Sequence, residues 1–184
     1  MGKLHDTITS ELGAWLAAQH VFFVATAPLA ADGLVNASPK GLDTFRILGP
    51  RTVAYLDLTG SGVETIAHLR ENARIVFLFC AFTGLPKIVR LHGRGAVVTP
   101  DSPEWPELHA RFPALPGARA VIRAELTRIA DSCGYAVPQL VFERERDTLV
   151  RSCEAKGESA LARYRDEKNA RSLDGLPGLA PGAG

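Results

Sequence analysis

Cysteine is scarce in this sequence, and its three copies lie far apart. Cys80, Cys133 and Cys153 are an odd number of thiols and contain no C-x-x-C pair. Disulfide frameworks and zinc knuckles need paired cysteines at short spacing, so neither is expected. The histidines at positions 5, 20, 68, 92 and 109 also lack a partner at metal-ligand spacing. We therefore expect reduced thiols, a cytoplasmic protein and no metal site.

A dominant charge and a long apolar run are missing as well. Lys plus Arg number 21 and Asp plus Glu number 20, which leaves no global field for holding nucleic acid or an anionic membrane. No apolar run approaches the roughly 20 residues that span a bilayer, and no secretory signal pattern opens the chain. No G-x-S-x-G nucleophile motif occurs either. We expect a soluble protein with neither nucleic acid nor membrane as a partner.

The 184 residues, 46% of them hydrophobic, suit one domain that spans positions 1–184. Hydrophobic periodicity predicts helices over residues 7–19, about 62–72 and 103–112, and the charged segments 142–147 and 156–168 are compatible with helix. It predicts strands over residues 21–26, 34–38, 51–57, 74–80 and 87–98, and the pattern over 120–130 fits a strand slightly better than a helix. Because these elements do not alternate as β-α-β-α, they predict a mostly antiparallel barrel with flanking helices.

Two short motifs together have the composition of a phosphate site. Residues 36–41 place Lys40 at a strand end, and Ser61-Gly-Val-Glu64 matches the capping box that opens a helix. Helix-start amides, hydroxyls and a lysine are the groups that hold a phosphate, and Gly62 allows close approach. The alternative is an ordinary capped helix beside a solvated lysine.

The order of these elements resembles the pyridoxamine 5′-phosphate oxidase-related family of split-barrel flavoproteins. The resemblance covers roughly residues 15–100, and the segments at 131–138 and 167–178 are similar to a mostly uncharacterised bacterial subgroup. It implies a mainly β fold with flanking helices, a split β-barrel of the FMN-binding type, and a homodimer with the cofactor between its subunits.

The resemblance also implies which residues bind FMN. Lys40 and the start of the helix would hold the phosphate, and residues 36–38 would run beside the isoalloxazine edge. Arg90, Arg94 or an arginine of a partner subunit would supply a second charge. The cofactor-binding residues implied in this way are Asn36, Ala37, Ser38, Lys40, Ser61, Gly62, Glu64, Thr65 and Arg94.

The expected activity is that of an FMN-dependent oxidoreductase, with hydride or electron transfer to an unknown small molecule. Glu64-Thr65 stands where the oxidases have an Arg-Lys pair, Ile88 stands in place of a glutamine, and the chain lacks their Trp- and Arg-bearing end. Vitamin B6 oxidation is therefore not expected, and no side chain is assigned as catalytic. A deazaflavin-dependent reductase, or a flavin- or haem-binding module without turnover, is the alternative.

Overall fold

Eight strands and four helices follow one another along residues 2–179, the part of the chain that the computed structural model describes. The predicted class, a mainly antiparallel β fold with flanking helices, is confirmed. The elements are β1 (Leu4–His5), α1 (Ser10–Ala17), β2 (Phe22–Thr26), β3 (Asn36–Lys40), β4 (Phe45–Gly49), β5 (Thr52–Leu58), α2 (Glu64–Asn72), β6 (Arg74–Cys80), β7 (Ile88–Val98), α3 (Trp105–His109), β8 (Ala118–Ser132) and α4 (Thr148–Lys168).

The sheet has the strand order β3-β2-β6-β7-β8-β5-β4, with β1 paired to β8 and every pairing antiparallel. β7 and β8 are the longest strands, and their register shifts between His92 and Gly93. A Cβ atom at Gly93 would lie 2.5 Å from the Glu125 carbonyl oxygen, so only glycine allows this close approach. The irregularity increases the local bend that curls a sheet toward a barrel.

Five rings fill much of the space that the curled sheet encloses. Their neighbouring centroids are 5.0 to 6.1 Å apart, at the tilted and offset angles that aromatic pairs favour. Leu12 and Leu16 of α1 are buried in the same hydrophobic cluster, which explains the helical spacing of apolar residues near the start of the chain. We call this set of rings the aromatic interior: Phe22, Phe45, Tyr55, Phe77 and Phe79.

The strand predictions were right for the most regular segments and incomplete elsewhere. β6 has the predicted bounds, but the strand expected over residues 34–38 is β3, which lies two residues further along. The prediction of six strands was wrong for the described residues, because β1 and β4 were missed. Phe45–Gly49 gave no clear signal because its side chains are all half-buried or exposed and show no alternation.

The predicted capping box is wrong. Helix α2 begins at Glu64, its N-cap is Val63, and no side chain caps it by a hydrogen bond. At α1 the cap is Thr9, and its hydroxyl accepts from the Leu12 amide at 3.2 Å. A serine followed three residues later by a glutamate is thus an ambiguous signal for a capping box when glycines lie beside the serine.

The helices in the second half of the chain also differ from the prediction. The segment 142–147 forms no helix, and α4 begins at Thr148 with a kink at Gly157, whose φ is 69°. The helix predicted over 103–112 is shortened to Trp105–His109. Part of the predicted tail, residues 180–184, lies outside the described residues. Among residues 2–179, no helix is both long enough and apolar enough to cross a membrane.

Candidate functional site

Strand β3 carries a polar face at one end of the sheet. Asn36, Ser38 and Lys40 are half-buried on one side, whereas Ala37 and Pro39 are exposed on the other. The Asn36 amide donates to the Thr65 hydroxyl at 3.0 Å, and the Ser38 hydroxyl donates to the Asn36 amide oxygen at 3.1 Å. Because β3 pairs with β2 alone among the described strands, none of these strands uses its second backbone edge. This face therefore offers amide, hydroxyl and ammonium groups beside an open backbone edge.

The Lys40 ammonium group lies 3.3 Å from a carboxylate oxygen of Asp57. Asp57 is almost completely buried on β5, and its other oxygen accepts from Arg119 Nε at 2.7 Å. Burial by itself raises the pKa of Asp57, but the Arg119 and Lys40 charges more than offset this, so the pKa lies below its ordinary value. Asp57 is thus an anion that partly neutralises two cations.

Arg119 extends this charged group toward the end of α4. Its guanidinium donates to the Asn169 side-chain oxygen at 2.7 Å and to the Gly62 carbonyl at 2.9 Å. The Asn169 amide in turn donates to the Gly60 carbonyl at 2.9 Å. We call Lys40, Asp57, Arg119 and Asn169 the polar seam, because their side chains link β3 and the C-terminal end of α4 to the paired strands β5 and β8.

Tyr55 connects the polar seam with the aromatic interior. Lys40 Nζ lies 5.6 Å from the centroid of its ring, a distance that allows a cation–π contact. The Tyr55 hydroxyl is fully buried near Thr65 and Asp57 but has no hydrogen bond of normal geometry among the described residues. Burial, with the Asp57 charge adding to it, raises the pKa of Tyr55 well above its ordinary value. A protonated phenol is thus held at the site, beside Lys40 and Asp57.

The structure brings together four of the predicted site residues: Asn36, Ser38, Lys40 and Thr65. Gly62 joins them indirectly, through the Arg119 contact to its carbonyl. Ala37 is on the outer side of β3, and Ser61 is exposed with no part in a helix cap.

The other two predicted residues have different surroundings. A carboxylate oxygen of Glu64 accepts from the Leu173 amide at 3.3 Å, so Glu64 contacts the C-terminal tail. Arg94 is exposed on β7, with Arg74 and Glu125 as its strand neighbours. Arg90 donates to the Ser132 hydroxyl at 3.0 Å. No hydrogen bond of the described residues joins either arginine to the polar seam.

Four residues of the site were missed from the sequence: Tyr55, Asp57, Arg119 and Asn169. Asp57 carried a signal, because a carboxylate inside an otherwise apolar strand needs a buried partner. Arg119 and Asn169 carried none, since they lie 62 and 50 residues from their partners. Within residues 2–179, no cluster of three or more His, Cys, Asp or Glu side chains could hold a metal ion.

Comparison with known proteins identifies the family. Residues 8–133 match the family model described as pyridoxamine 5′-phosphate oxidase. The chain is also 39% identical, over 198 aligned positions, to the pyridoxamine 5′-phosphate oxidase family protein ustO of Aspergillus flavus, covering 97% of this chain and 78% of that protein. The chain therefore belongs to the pyridoxamine 5′-phosphate oxidase family, as its sequence motifs predicted.

Solved structures show the same fold. HupZ of Group A Streptococcus superimposes with a TM-score of 0.54 at 24% identity, over 66% of this chain and 91% of that one. The FAD binding protein from Mycobacterium smegmatis superimposes with a TM-score of 0.51 at 17% identity, over 71% of this chain and 98% of that one. At these identities the likeness concerns architecture, and it supports the predicted split barrel.

Proposed function

We propose that this chain binds FMN in the groove beside β3 and acts as a flavin-dependent oxidoreductase on a small molecule. The observation that carries the proposal is the convergence of Asn36, Ser38 and Lys40 with Thr65 beside the open edge of β3. Family membership supports it, as does a structural neighbour that is an FAD binding protein. A bound flavin supplies hydride or electron transfer, and the protein supplies orientation and electrostatics.

The groups at this edge suit the two polar parts of FMN. The isoalloxazine ring has carbonyl and ring-nitrogen atoms along one edge, which match the side chains of Asn36 and Ser38 and the free backbone edge of β3. The phosphate needs hydroxyl donors and a cation, which Thr65 and Lys40 provide. The Tyr55 ring lies behind Lys40, and its buried hydroxyl is near Thr65 and Asp57.

One phosphate fits the local charge better than a longer anionic chain does. Lys40 already shares its charge with Asp57, and the Glu64 carboxylate lies at the start of α2. The FAD diphosphate, or the extended tail of a deazaflavin cofactor, would require further cations near this helix start. Arg90 and Arg94, the candidates from the sequence, take no part in the polar seam. We therefore propose FMN as the cofactor, rather than FAD or a deazaflavin.

We also propose that two copies form the functional unit. The outer faces of β2 and β6 present the half-buried apolar side chains of Phe23, Ala25, Val76 and Leu78, which lie in cross-strand rows. Arg90 and His92 continue these rows on β7. An apolar sheet face of this kind favours an isologous contact with a second copy. Light scattering should return twice the 19.7 kDa of one chain, and a monomer mass would contradict the dimer.

The cofactor is tested by absorption and titration. Purified protein with bound FMN should absorb in the blue, whereas a deazaflavin absorbs at shorter wavelength and haem gives a Soret band. Lys40→Met should weaken FMN binding at least tenfold, because a charge-assisted contact to phosphate contributes about 1.5 to 3 kcal/mol.

Lys87→Met is the matched control for this titration. Lys87 lies over the Trp15 ring at 5.0 Å, outside the polar seam, so its replacement should leave FMN affinity unchanged. Equal affinities of wild type and Lys40→Met would remove Lys40 from the phosphate site. Wild-type protein that does not bind FMN would refute the proposed function.

A further inference from the structure

Residues 169–179 form a compact C-terminal segment that the proposed function does not use. Backbone hydrogen bonds join Gly178 to Ala170, Leu179 to Asn169 and Ser172 to Leu176, and a bridge pairs Arg171 with Pro177. The segment therefore has a turn structure of its own. We call residues 169–179 the C-terminal strap.

The strap contacts one wall of the groove that we propose for FMN. This wall is the loop that leads into α2. The Asn169 side-chain amide donates to the Gly60 carbonyl, and the Leu173 amide donates to the Glu64 carboxylate at 3.3 Å. A Cβ atom at Gly178 would lie 2.2 Å from the Asn169 carbonyl oxygen and 2.8 Å from a methyl group of Val63. The strap thus lies directly against the start of α2.

The strap also reaches the other wall, the β2–β3 hairpin. The Asp174 carboxylate accepts from the Leu34 amide at 3.1 and 3.3 Å, two residues before β3 begins. The same carboxylate lies 3.9 Å from Nε2 of His68, a fully buried residue of α2. One short segment therefore touches both elements that carry the predicted cofactor residues.

The far end of the strap is anchored in the protein interior. Leu179 is 4% exposed and belongs to the main hydrophobic cluster. Arg70 of α2 donates to the Gly178 carbonyl. Together with Asn169, which is fully buried, these contacts fix the strap at both of its ends. An anchored segment that bridges two walls limits how far they can separate.

We propose that the C-terminal strap holds the hairpin and the α2 loop at a fixed spacing and thereby slows release of the bound flavin. The role in retention rests on the proposed function, whereas the bridging of the two walls does not. Asp174 and Gly178 act as positioning residues: Asp174 ties the hairpin, and the absence of a side chain at Gly178 lets the strap approach Val63.

Two variants loosen the strap in different ways. Asp174→Ala removes the acceptor of the Leu34 amide, and Gly178→Ala places a methyl group where the strap meets Val63. Asp174→Asn keeps an oxygen acceptor and should behave as wild type. Leu173→Ala is the matched control, because its side chain is 78% exposed and only its backbone amide makes the contact with Glu64. Cooperative thermal unfolding of each variant checks that it is folded.

Hydrogen exchange of the FMN-free protein tests the bridging. Asp174→Ala and Gly178→Ala should speed amide exchange at least tenfold in residues 34–40 and 58–66, with no change in Leu173→Ala. Faster exchange confined to residues 169–179 would overturn the strap, because the walls would then keep their order without it.

The rate of FMN release after dilution tests the role in retention. Release should be at least fivefold faster from Asp174→Ala and Gly178→Ala than from wild type, Asp174→Asn and Leu173→Ala. Unchanged or slower release, with exchange faster in both walls, would refute retention and leave only the bridging. Failure of wild-type protein to bind FMN would refute the proposed function, and the exchange experiment would still decide whether the strap bridges the walls.

Discussion

The aromatic interior and the polar seam lie side by side in this barrel but are stabilised in different ways. The rings of the interior pack at ordinary aromatic distances and need no single partner. The seam consists of charged and amide side chains, each of which contacts a specific partner. Asp57, for example, forms ion pairs with both Lys40 and Arg119. An apolar interior tolerates an apolar substitution of similar volume, whereas a buried charge network does not tolerate loss of one partner. The seam is therefore the more sensitive region.

The largest expected effect tests this difference directly with two near-isosteric substitutions. Asp57→Asn removes the carboxylate that contacts both Lys40 and Arg119 and should cost about 3 to 5 kcal/mol of unfolding free energy, because it leaves a buried guanidinium without its counter-charge. Leu91→Met, in the fully buried apolar core, should cost less than about 1.5 kcal/mol. Urea unfolding with matched slopes measures both values. Equal losses would show that the seam is no more sensitive than the core.

A smaller effect concerns pH. Burial lowers the pKa of His68 below its ordinary value of 6.5, although the carboxylates of Asp174, Glu64 and Glu71 act in the opposite direction. The native state therefore binds fewer protons than the unfolded state, so stability is complete above about pH 6.5 and is lost as the pH falls toward the folded-state pKa.

Urea unfolding at pH 7.5 and at pH 5.5 checks this sign. Wild type should lose more stability between the two values than His68→Gln does, since the variant no longer titrates at this position. His92→Gln provides a comparison, because the pKa of His92, on strand β7 rather than on helix α2, is also lowered by burial and by the charges of Arg128 and Arg90. The same pH dependence in wild type and His68→Gln would exclude His68 as a source of acid sensitivity.

The smallest expected effect compares two helix starts. Thr9→Ala removes the hydroxyl that accepts from the Leu12 amide and should cost about 1 kcal/mol. Ser61→Ala should change stability by less than about 0.5 kcal/mol, because Ser61 is exposed and does not cap α2. The two denaturant midpoints measure this difference. A loss for Ser61→Ala as large as that for Thr9→Ala would reinstate the capping box.

Much of the barrel was predictable because strand signals are local. The alternation of side chains across β2 and the unbroken apolar run of β6 each follow from a few neighbouring residues. Motif order then indicated the family, which the comparisons confirmed. In the same way, Lys40 and Asn36 were predicted as site residues, and the structure places them on one face of β3.

The sequence by itself determined most of the strand pattern, the mostly antiparallel class and the family, because periodicity and motif order can be recognised within short segments. Only the tertiary structure decided that Asp57 joins Lys40 to Arg119, that Asn169 completes the seam, and that Ser61 caps nothing. Partners 50 to 62 residues apart leave no local pattern, since their contact arises only when β5, β8 and the end of α4 pack together. The strap depends on the same physics, because its anchors lie up to 140 residues away in the chain.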